Sequence, residues 1–378
     1  MSEGSNASVM IIPLLRPRLP ALKSISSYIE RIDQSQIYSN HGPLVRELES
    51  RYASTLGVDP RKVVAVTNAT LGITLAVQNH SPGLWRVPDF TFGATALAVL
   101  NAGKKLELVD VDENTWALPT PSGEENSSVG HLVVMPFANN STFKKWQSIP
   151  NVIFDAAASL GDPSWDLGKL TPSQTIIFSL HATKVFGAGE GGLVICGDPA
   201  NSDQMRASIN FGFSVGREIS IMGTNAKMSE YSAAIALAAL DQKDVEVSEW
   251  ESSQHLARSI ALDLDHQNPN LQASPVNPYF IVRFKKEEDL SDFVKLSSSL
   301  NIETRKWWPR AIHEMALFSD RGVLDARRRM DGTSSSVALA STVLGLPMSR
   351  DLSNQDAERI AFLLNRFKGR FENMKVPE

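Results

Sequence analysis

Short apolar runs alternate with helix-like segments from about Val63 to Cys196. The runs include VVAVT, HLVVMPF, NVIFDAA, TIIFSL and GGLVIC, and they are apolar almost throughout rather than at every second position. Strands of this kind are buried on both faces of a parallel sheet, with helices packed against each face. The pattern therefore predicts a doubly wound α/β fold.

A helical pattern flanks this region on both sides. In GPLVRELESRYASTLG, apolar residues recur every fourth position, which predicts an amphipathic helix that ends at Gly57. After about Ile219 long helical stretches follow, and then a second α/β unit: the strand PYFIVRF, the helix EEDLSDFVKLSSSL, the strand IETRKWW and the closing helix NQDAERIAFLLNRF. We predict a large domain over residues 1–240 and a small C-terminal domain over residues 241–378.

Composition narrows the class of protein. The chain has 378 residues, 42% of them hydrophobic, and a formal net charge of -5, which argues against a nucleic-acid or anionic-membrane binder. The single cysteine excludes an internal disulfide and suits the reducing cytoplasm. The scattered histidines predict no metal site. The first 17 residues do not read as a signal peptide, and no apolar run approaches the roughly 20 residues of a membrane span.

The stretch SLHATKVFGAGEGGLVIC allows two interpretations. Gly187, Gly189 and Gly192 fit the G-x-G-x-x-G spacing of a dinucleotide-binding turn, so an NAD-dependent dehydrogenase is the alternative from a different class. That turn needs a helix after its glycines, because the pyrophosphate binds at the N-terminus of the helix. Here the strand-like LVIC follows, which favours a tight loop before a strand.

The second interpretation rests on Lys184 and Asp155. Lys184 follows the buried strand TIIFSL, and Asp155 ends the strand NVIFD. Open α/β sheets bind ligands at the carboxyl ends of their strands. An amine that can form a Schiff base and an anion that keeps a pyridine nitrogen protonated are what pyridoxal 5′-phosphate (PLP) chemistry requires. A surface lysine and a capping or salt-bridged aspartate remain the structural alternatives.

Two further groups could complete a cofactor site. Asn68, Ala69 and Thr70 lie between a strand and a helix, where backbone N–H groups and hydroxyls bind phosphate. Phe92 opens the next helix and could stack on a flat ring. The structural alternatives are an N-cap at Asn68 or Thr70 and a core position for Phe92. Their order along successive strand ends favours a shared site.

Several segments resemble, in order and spacing, the DegT/DnrJ/EryC1/StrS family of PLP-dependent nucleotide-sugar aminotransferases. They are NHGPLVRELESRYASTLGV, TNAT, VPDFTFGATALAVLNAGKKLELVDVDENTW, DAAASLG, FSLHATKVFGAGEGG and GTNAKMSEYSAAIALAAL. The resemblance implies the type I fold of aspartate aminotransferase: a large PLP-binding domain with a mostly parallel seven-stranded sheet, and a smaller C-terminal α/β domain. It also implies a homodimer whose active sites lie at the interface.

The resemblance also implies roles for individual residues. Lys184 would be the Schiff-base lysine, Asp155 the partner of the pyridine nitrogen, and Phe92 the stacking ring. The phosphate would be held by Ala69, Thr70 and Ser179 near Asn68, together with Asn225 from the other subunit. Because the lysine is intact, the chain does not match the relatives that carry histidine there and act as sugar dehydratases.

The chain departs from the family pattern at Ala158. Relatives commonly have His or Gln at this position near the cofactor's phenolic oxygen, so His181 or water would have to replace that contact. The candidate residues of the sugar-nucleotide cleft are His181 and, in ETRKWWPRAIH, Arg305 and His313. A structural tryptophan pair is the alternative there, and a single-stranded nucleic-acid platform is disfavoured in an acidic chain.

These observations predict a ping-pong transaminase. It would move an amino group from L-glutamate to a nucleotide-linked keto-deoxysugar, most simply dTDP-4-keto-6-deoxyglucose, giving dTDP-4-amino-4,6-dideoxyglucose for O-antigen, glycan or antibiotic sugar biosynthesis. A 3-keto-sugar aminotransferase of the same family is the alternative substrate class. A PLP-binding regulator without transaminase activity is the non-enzymatic alternative.

Overall fold

A seven-stranded sheet forms the centre of the computed structural model, which describes residues 10–121, 128–262, 274–319 and 334–372. The strands are β1 Val63–Val66, β2 Leu84–Pro88, β3 Lys105–Val109, β4 Val129–Val134, β5 Val152–Asp155, β6 Gln174–Ser179 and β7 Gly192–Cys196. Their order is β1-β7-β6-β5-β4-β2-β3, and β7 runs antiparallel to both of its neighbours while the other pairs are parallel. The predicted α/β class and mostly parallel seven-stranded sheet are confirmed.

Helices cover both faces of this sheet. They are α1 Leu22–Ser35, α2 Pro43–Leu56, α3 Ala69–Asn79, α4 Gly93–Asn101, α5 Phe143–Trp146, α6 Pro199–Ser208, α7 Glu230–Asp241 and α8 Lys243–Leu262. Val63 and Ala65 of β1 belong to the core layer that contains α2 and α7, whereas Val64 and Val66 belong to the layer that contains α3. Successive strand side chains point to opposite faces, so both faces need apolar residues. This explains the continuous apolar runs.

The predicted amphipathic helix is α2. Leu44 and Leu48 are buried on it, and Gly57 ends it in a left-handed conformation with φ of 66°. Its first turn receives a distant cap, because the buried carboxylate of Glu230 accepts hydrogen bonds from the N–H groups of Leu44 (2.7 Å) and Val45 (3.1 Å).

The C-terminal part contains a two-stranded antiparallel sheet, β8 Phe280–Arg283 and β9 Val343–Leu346. Its helices are α9 Glu287–Ser299, α10 Ala316–Ser319, α11 Ser335–Thr342 and α12 Asn354–Asn365. The predicted strand PYFIVRF and the two predicted helices α9 and α12 are confirmed. The predicted strand IETRKWW is wrong, because in the described part of the chain this segment makes only two isolated bridges, Ile302 with Ile12 and Arg305 with Gly345. The Trp307 indole lies against Gly345, within 2.2 Å of where a Cβ would be, so a larger residue than glycine would collide with it.

The segment around Ile12 packs against the C-terminal part of the chain. Ile12 donates to the carbonyl of Asn301 (2.9 Å) and accepts from the N–H of Glu303 (3.0 Å), and Leu14 accepts from Met348 (3.1 Å). The domain boundary at residue 240 stays a prediction. The segment around Ile12 precedes that boundary but forms hydrogen bonds with residues that follow it. Residues 1–9, part of the segment judged not to be a signal peptide, lie outside the described residues. No helix among the described residues is long and apolar enough to cross a membrane.

Candidate active site

A cavity of about 570 Å³ opens at the carboxyl ends of the central strands. It brings together most of the residues singled out in the sequence: Asn68, Ala69, Thr70, Phe92, Asp155, Ala158, Ser179, His181 and Lys184. Three of the candidates, Asn225, Arg305 and His313, are not among its lining residues. The cavity therefore lies at the carboxyl ends of the strands, where open α/β sheets bind their ligands.

Asp155 is the last residue of β5 and is only 8% exposed. Its carboxylate accepts a hydrogen bond from Thr95 Oγ1 (2.9 Å) and from the N–H of Ala157 (3.2 Å). Burial raises the pKa of Asp155, while these hydrogen bonds and the positive charge of Lys184 act in the opposite direction. A buried anion of this kind is suited to pair with a protonated ring nitrogen.

Lys184 lies in the loop after β6, and its side chain meets a tyrosine that the sequence analysis missed. Its Nζ donates to Tyr279 Oη at 2.6 Å and lies 5.3 Å from the centre of the tyrosine ring. Tyr279 comes just before β8, in the C-terminal part of the chain. Nothing in PYFIVRF distinguishes this tyrosine from an ordinary strand residue, so the contact has no signal in the sequence.

The glycines after Lys184 form a tight turn. A Cβ at Gly187 would lie 2.9 Å from the carbonyl oxygens of His181 and Ala182, and Gly189 has a φ of 86°. Gly192 begins β7, and a Cβ there would lie 2.8 Å from the backbone nitrogen of Ala69. A strand follows the glycines, so the dinucleotide fingerprint is wrong and the tight-loop interpretation is confirmed.

The first turn of α3 forms a corner suited to an anion. Asn68 is the N-cap, and its side-chain oxygen accepts from the N–H of Leu71 (2.9 Å), as its structural alternative predicted. Ala69 and Thr70 occupy the first turn, where backbone N–H groups have no partner within the helix and the helix dipole is positive. Ser179 ends β6 beside the same cavity, and its Oγ accepts from the N–H of His181 (3.2 Å).

Phe92 precedes α4 as its N-cap and lines the cavity. The ring is 65% exposed, so the alternative of a core phenylalanine is wrong. A large apolar ring with a free face at the rim of a cavity is suited to stack on a flat ligand.

Ala158 and His181 lie on the cavity wall. Ala158 is buried and contributes no polar side-chain atom. His181 Nδ1 contacts Thr183 Oγ1 (2.8 Å) and accepts from the N–H of Thr183 (3.2 Å), while its Nε2 lies 3.9 Å from Glu190 Oε1. These contacts hold His181 within its own loop.

An aromatic wall closes the side of the cavity formed by the C-terminal part. Phe137 stacks on Trp308 with ring centres 4.3 Å apart, and the Tyr279 ring stands edge-on to Phe137 (5.6 Å) and Trp307 (5.4 Å). Phe137 and Ala138 both have left-handed backbones, with φ of 50° and 65°. Consecutive left-handed non-glycine residues are strained and persist only where their surroundings hold them. Trp307 and Trp308 thus have a structural role in this aromatic packing, as their alternative predicted, and they also line the cavity.

The two C-terminal candidates lie outside the cavity. The Arg305 guanidinium is 5.2 Å from the centre of the Trp307 ring, within the range of a cation–π contact with the aromatic wall. His313 fastens its loop to the end of β2, because its N–H (2.9 Å) and its Nδ1 (2.5 Å) both contact the buried carboxylate of Asp89. Burial raises the pKa of Asp89, and His313 acts in the opposite direction. Substrate roles for Arg305 and His313 stay predictions.

Asn225 is exposed, and its side-chain oxygen accepts from Lys227 Nζ at 2.6 Å. Ile219 and Met222 on the same segment are 68% and 75% exposed. An exposed asparagine beside exposed apolar side chains is compatible with a position that faces another subunit. Its role at the phosphate of that subunit stays a prediction.

Comparison with solved structures defines the class of protein. The crystal structure of DesI in the presence of its TDP-sugar product is 26% identical to this chain, with a TM-score of 0.81, and the match covers 96% of this chain and 94% of that one. The fold and the cofactor are those of PLP-dependent aminotransferases. Residues 22–127 and 140–365 match the model of the DegT/DnrJ/EryC1/StrS aminotransferase family, and the chain belongs to this family.

The relatives differ from one another in the sugar named as their substrate or product. The chain is 28% identical over 372 residues to dTDP-4-amino-4,6-dideoxy-D-glucose transaminase of Shigella dysenteriae, covering 93% of this chain and 98% of the relative. It is 27% identical over 384 residues to UDP-N-acetyl-3-dehydro-alpha-D-glucosamine 3-aminotransferase of Acidithiobacillus ferrooxidans, covering 96% and 98%. The chain is a PLP-dependent sugar aminotransferase, and the dehydrogenase alternative is wrong.

Proposed function

We propose that the enzyme transfers the amino group of L-glutamate to carbon 4 of dTDP-4-keto-6-deoxyglucose, giving dTDP-4-amino-4,6-dideoxyglucose. The observation that carries the proposal is the meeting of the Lys184 amine and the buried Asp155 carboxylate in one cavity at the strand ends. The Shigella relative and the TDP-sugar complex of DesI support the choice of sugar. We place the enzyme in the cytoplasm and in sugar biosynthesis of the O-antigen type.

The residues of the cavity suit PLP. Asp155 would pair with the pyridine nitrogen, Lys184 would bond to the aldehyde carbon, and Phe92 would cover one face of the ring. The first turn of α3 and Ser179 would hold the phosphate, which Asn225 of a second subunit would also contact. When bound, PLP withdraws electrons from the carbon that carries the amine, which makes the proton on that carbon acidic.

The protein groups then have separable tasks. Lys184 would take the proton from the α-carbon of L-glutamate and would hold it for return to the reacting carbons, and it would serve the keto sugar in the reverse direction. Asp155 would stay ionised with the cofactor bound, because a protonated ring nitrogen would offset the cost of burying its charge. The aromatic wall of Phe137, Trp307 and Trp308 keeps water from the reacting atoms.

Lys184→Ala tests the central assignment. The wild-type protein should show a visible absorbance band with PLP that L-glutamate abolishes, with 2-oxoglutarate as the product. Lys184→Ala should lack the band, because it has no amine at that point to bond to the cofactor, and transamination should fall by at least about 1,000-fold. A wild-type protein that stays colourless with PLP would refute the assignment.

A 3-keto-sugar substrate is the second candidate, favoured by the relative from Acidithiobacillus ferrooxidans. In the test, the enzyme first reacts with L-glutamate and is then given a panel of 3-keto and 4-keto sugar nucleotides. The sugar that is aminated discriminates between the two candidate substrates. The proposal expects NMR of the product to show nitrogen on carbon 4 of the dTDP-linked sugar. Nitrogen on carbon 3 would establish the second candidate, and failure of the L-glutamate step would favour a PLP-binding regulator or another amino donor.

A further inference from the structure

The hydrogen bond between Lys184 and Tyr279 joins parts of the chain that are 95 residues apart. The Nζ–Oη distance of 2.6 Å is short for a nitrogen–oxygen pair, as is typical of a bond to a charged group. The same Nζ lies 5.3 Å from the ring centre, within the range of a cation–π contact. The phenol therefore meets the amine through both its oxygen and its ring.

Tyr279 is held in place by a buried polar network. Its N–H donates to Asn277 Oδ1 (2.9 Å), and Asn277 Nδ2 donates to the carbonyl of Phe137 (3.0 Å). Gln254 Nε2 donates to the carbonyls of Asn277 and Tyr279. Asn277 and Gln254 are fully buried, and the tyrosine ring packs edge-on between Phe137 and Trp307. Packing and hydrogen bonds that lock a side chain in this way are typical of a preorganised functional group.

The neighbouring polar groups are engaged elsewhere. His181 contacts Thr183 and Glu190 within its own loop, and Asp155 accepts from Thr95 and Ala157. Ala158, on the same wall, has no polar side-chain atom. Of these cavity residues, Tyr279 is therefore the one whose hydrogen bond restrains Lys184 Nζ.

We propose that Tyr279 is the positioning residue for the Lys184 amine, an inference that rests on the proposed role of Lys184. A free lysine side chain samples many rotamers, and ordering it costs up to about 2 kcal/mol. The ammonium form donates one N–H to Oη, and after it loses a proton the amine still donates one N–H there, so Nζ stays oriented and its lone pair is free to bond to the cofactor or to take a proton. The phenol undergoes no net change in either step.

Tyr279→Phe removes the oxygen and keeps the ring between Phe137 and Trp307. Tyr52→Phe is the matched control, because Tyr52 is also buried and its Oη has no hydrogen-bond partner among the residues that the structure describes. Two rates that do not depend on turnover are measured: attachment of PLP to the cofactor-free protein, followed by absorbance, and solvent-hydrogen exchange at the α-carbon of L-glutamate, followed by NMR. Both should fall about tenfold in Tyr279→Phe, the loss expected for one hydrogen bond, and neither should change in Tyr52→Phe.

Borohydride reduction followed by peptide mapping separates this inference from the proposed function. Cofactor attached to Lys184, with wild-type attachment and exchange rates in Tyr279→Phe, would overturn the positioning role alone. Cofactor attached to another residue would overturn the role of Lys184 and the inference together. A thermal unfolding curve for Tyr279→Phe that matches the wild type, together with the slowed rates, excludes a merely structural role and supports the inference.

Discussion

At the scale of single residues, the carboxylate of Asp155 that the proposed chemistry needs is also one that lowers the stability of the cofactor-free protein. Asp155 is a carboxylate buried at a strand end, and burial raises its pKa. In the cofactor-free protein, an ionised Asp155 therefore opposes folding relative to its neutral form. The cationic ring nitrogen expected beside it would reverse that balance, so the cofactor should stabilise the chain as well as react in it.

Asp155→Asn should separate these two effects. Transamination should fall by about 100- to 1,000-fold, because the amide carries no charge to pair with the ring nitrogen. The cofactor-free variant should be more stable than the wild type at pH 7. A raised folded-state pKa means that the stabilising contribution is present below the unfolded pKa and is lost as pH rises through the folded one, so the advantage should shrink towards pH 4.

Thermal unfolding of the cofactor-free proteins at both pH values provides the measurement. The exposed Asp203 on α6 supplies a control, since Asp203→Asn should alter neither activity nor the pH dependence. A cofactor-free Asp155→Asn less stable than the wild type at pH 7 would contradict the cost assigned to the buried charge.

Sequence reasoning succeeded for residues whose neighbours in space follow from strand order. Strand order predicts that Lys184, Asp155 and the first turn of α3 lie together, because Asp155 ends a buried strand of the sheet and the other two follow such strands. The role of Tyr279 is not predictable in this way, because its hydrogen-bond partner Lys184 is 95 residues away along the chain and PYFIVRF has an ordinary strand pattern. For Asn68, the pattern allowed a helix cap and a cofactor contact alike, and the cap is the part that the coordinates confirm.

At the scale of elements, distant carboxylates cap helix N-termini. Asp110, just after β3, accepts from Ser334 Oγ (2.9 Å) and from the N–H groups of Ser335 (2.9 Å) and Ser336 (2.8 Å) at the start of α11. Burial acts to raise the pKa of Asp110, but the hydrogen bonds from these serines outweigh it and lower the pKa. The carboxylate of Glu230 likewise caps α2 by accepting from the N–H groups of Leu44 and Val45. Local patterns do not reveal such caps, because the capping residue lies far away in the sequence.

Asp110→Ala should destabilise the protein by about 2 kcal/mol at pH 7, since several hydrogen bonds at the start of α11 lose their acceptor. A lowered folded-state pKa means that this contribution is present above the unfolded pKa and is lost as pH falls through the folded one. The difference from the wild type should therefore shrink near pH 3. Urea unfolding at both pH values measures it, with Asp33→Ala on the exposed face of α1 expected to stay within about 0.5 kcal/mol.

At the scale of the whole molecule, the pattern of apolar runs predicted the layers of the large sheet but not every association between distant segments. Both faces of β1 are covered, as its apolar residues required. The pairing of Ile12 with Ile302 was not predictable, because a single bridge leaves no periodic pattern. The strand predicted around Arg305 has the same explanation, since its two isolated bridges depend on segments that are distant along the chain.

The proposed homodimer leads to a test at this scale. Met222 is 75% exposed on the segment that carries Asn225, so Met222→Glu should place a charge in the interface and shift the protein towards monomers. Transamination should fall with the dimer fraction if Asn225 serves the other subunit. Light scattering with activity measured over a dilution series checks this, and Val245→Glu, at a site 60% exposed on α8, is the control. A fully active monomer would contradict the shared site.

The contact between Asn277 and the carbonyl of Phe137 bears on how this enzyme could be re-engineered. The left-handed pair Phe137–Ala138 and the loop before β8 support each other, so neither is a free-standing module. A chimera that takes its C-terminal half from a relative would combine a foreign loop with the native turn. Recombination libraries aimed at new sugar specificity should therefore exchange residues 135–139 and 274–279 as one block.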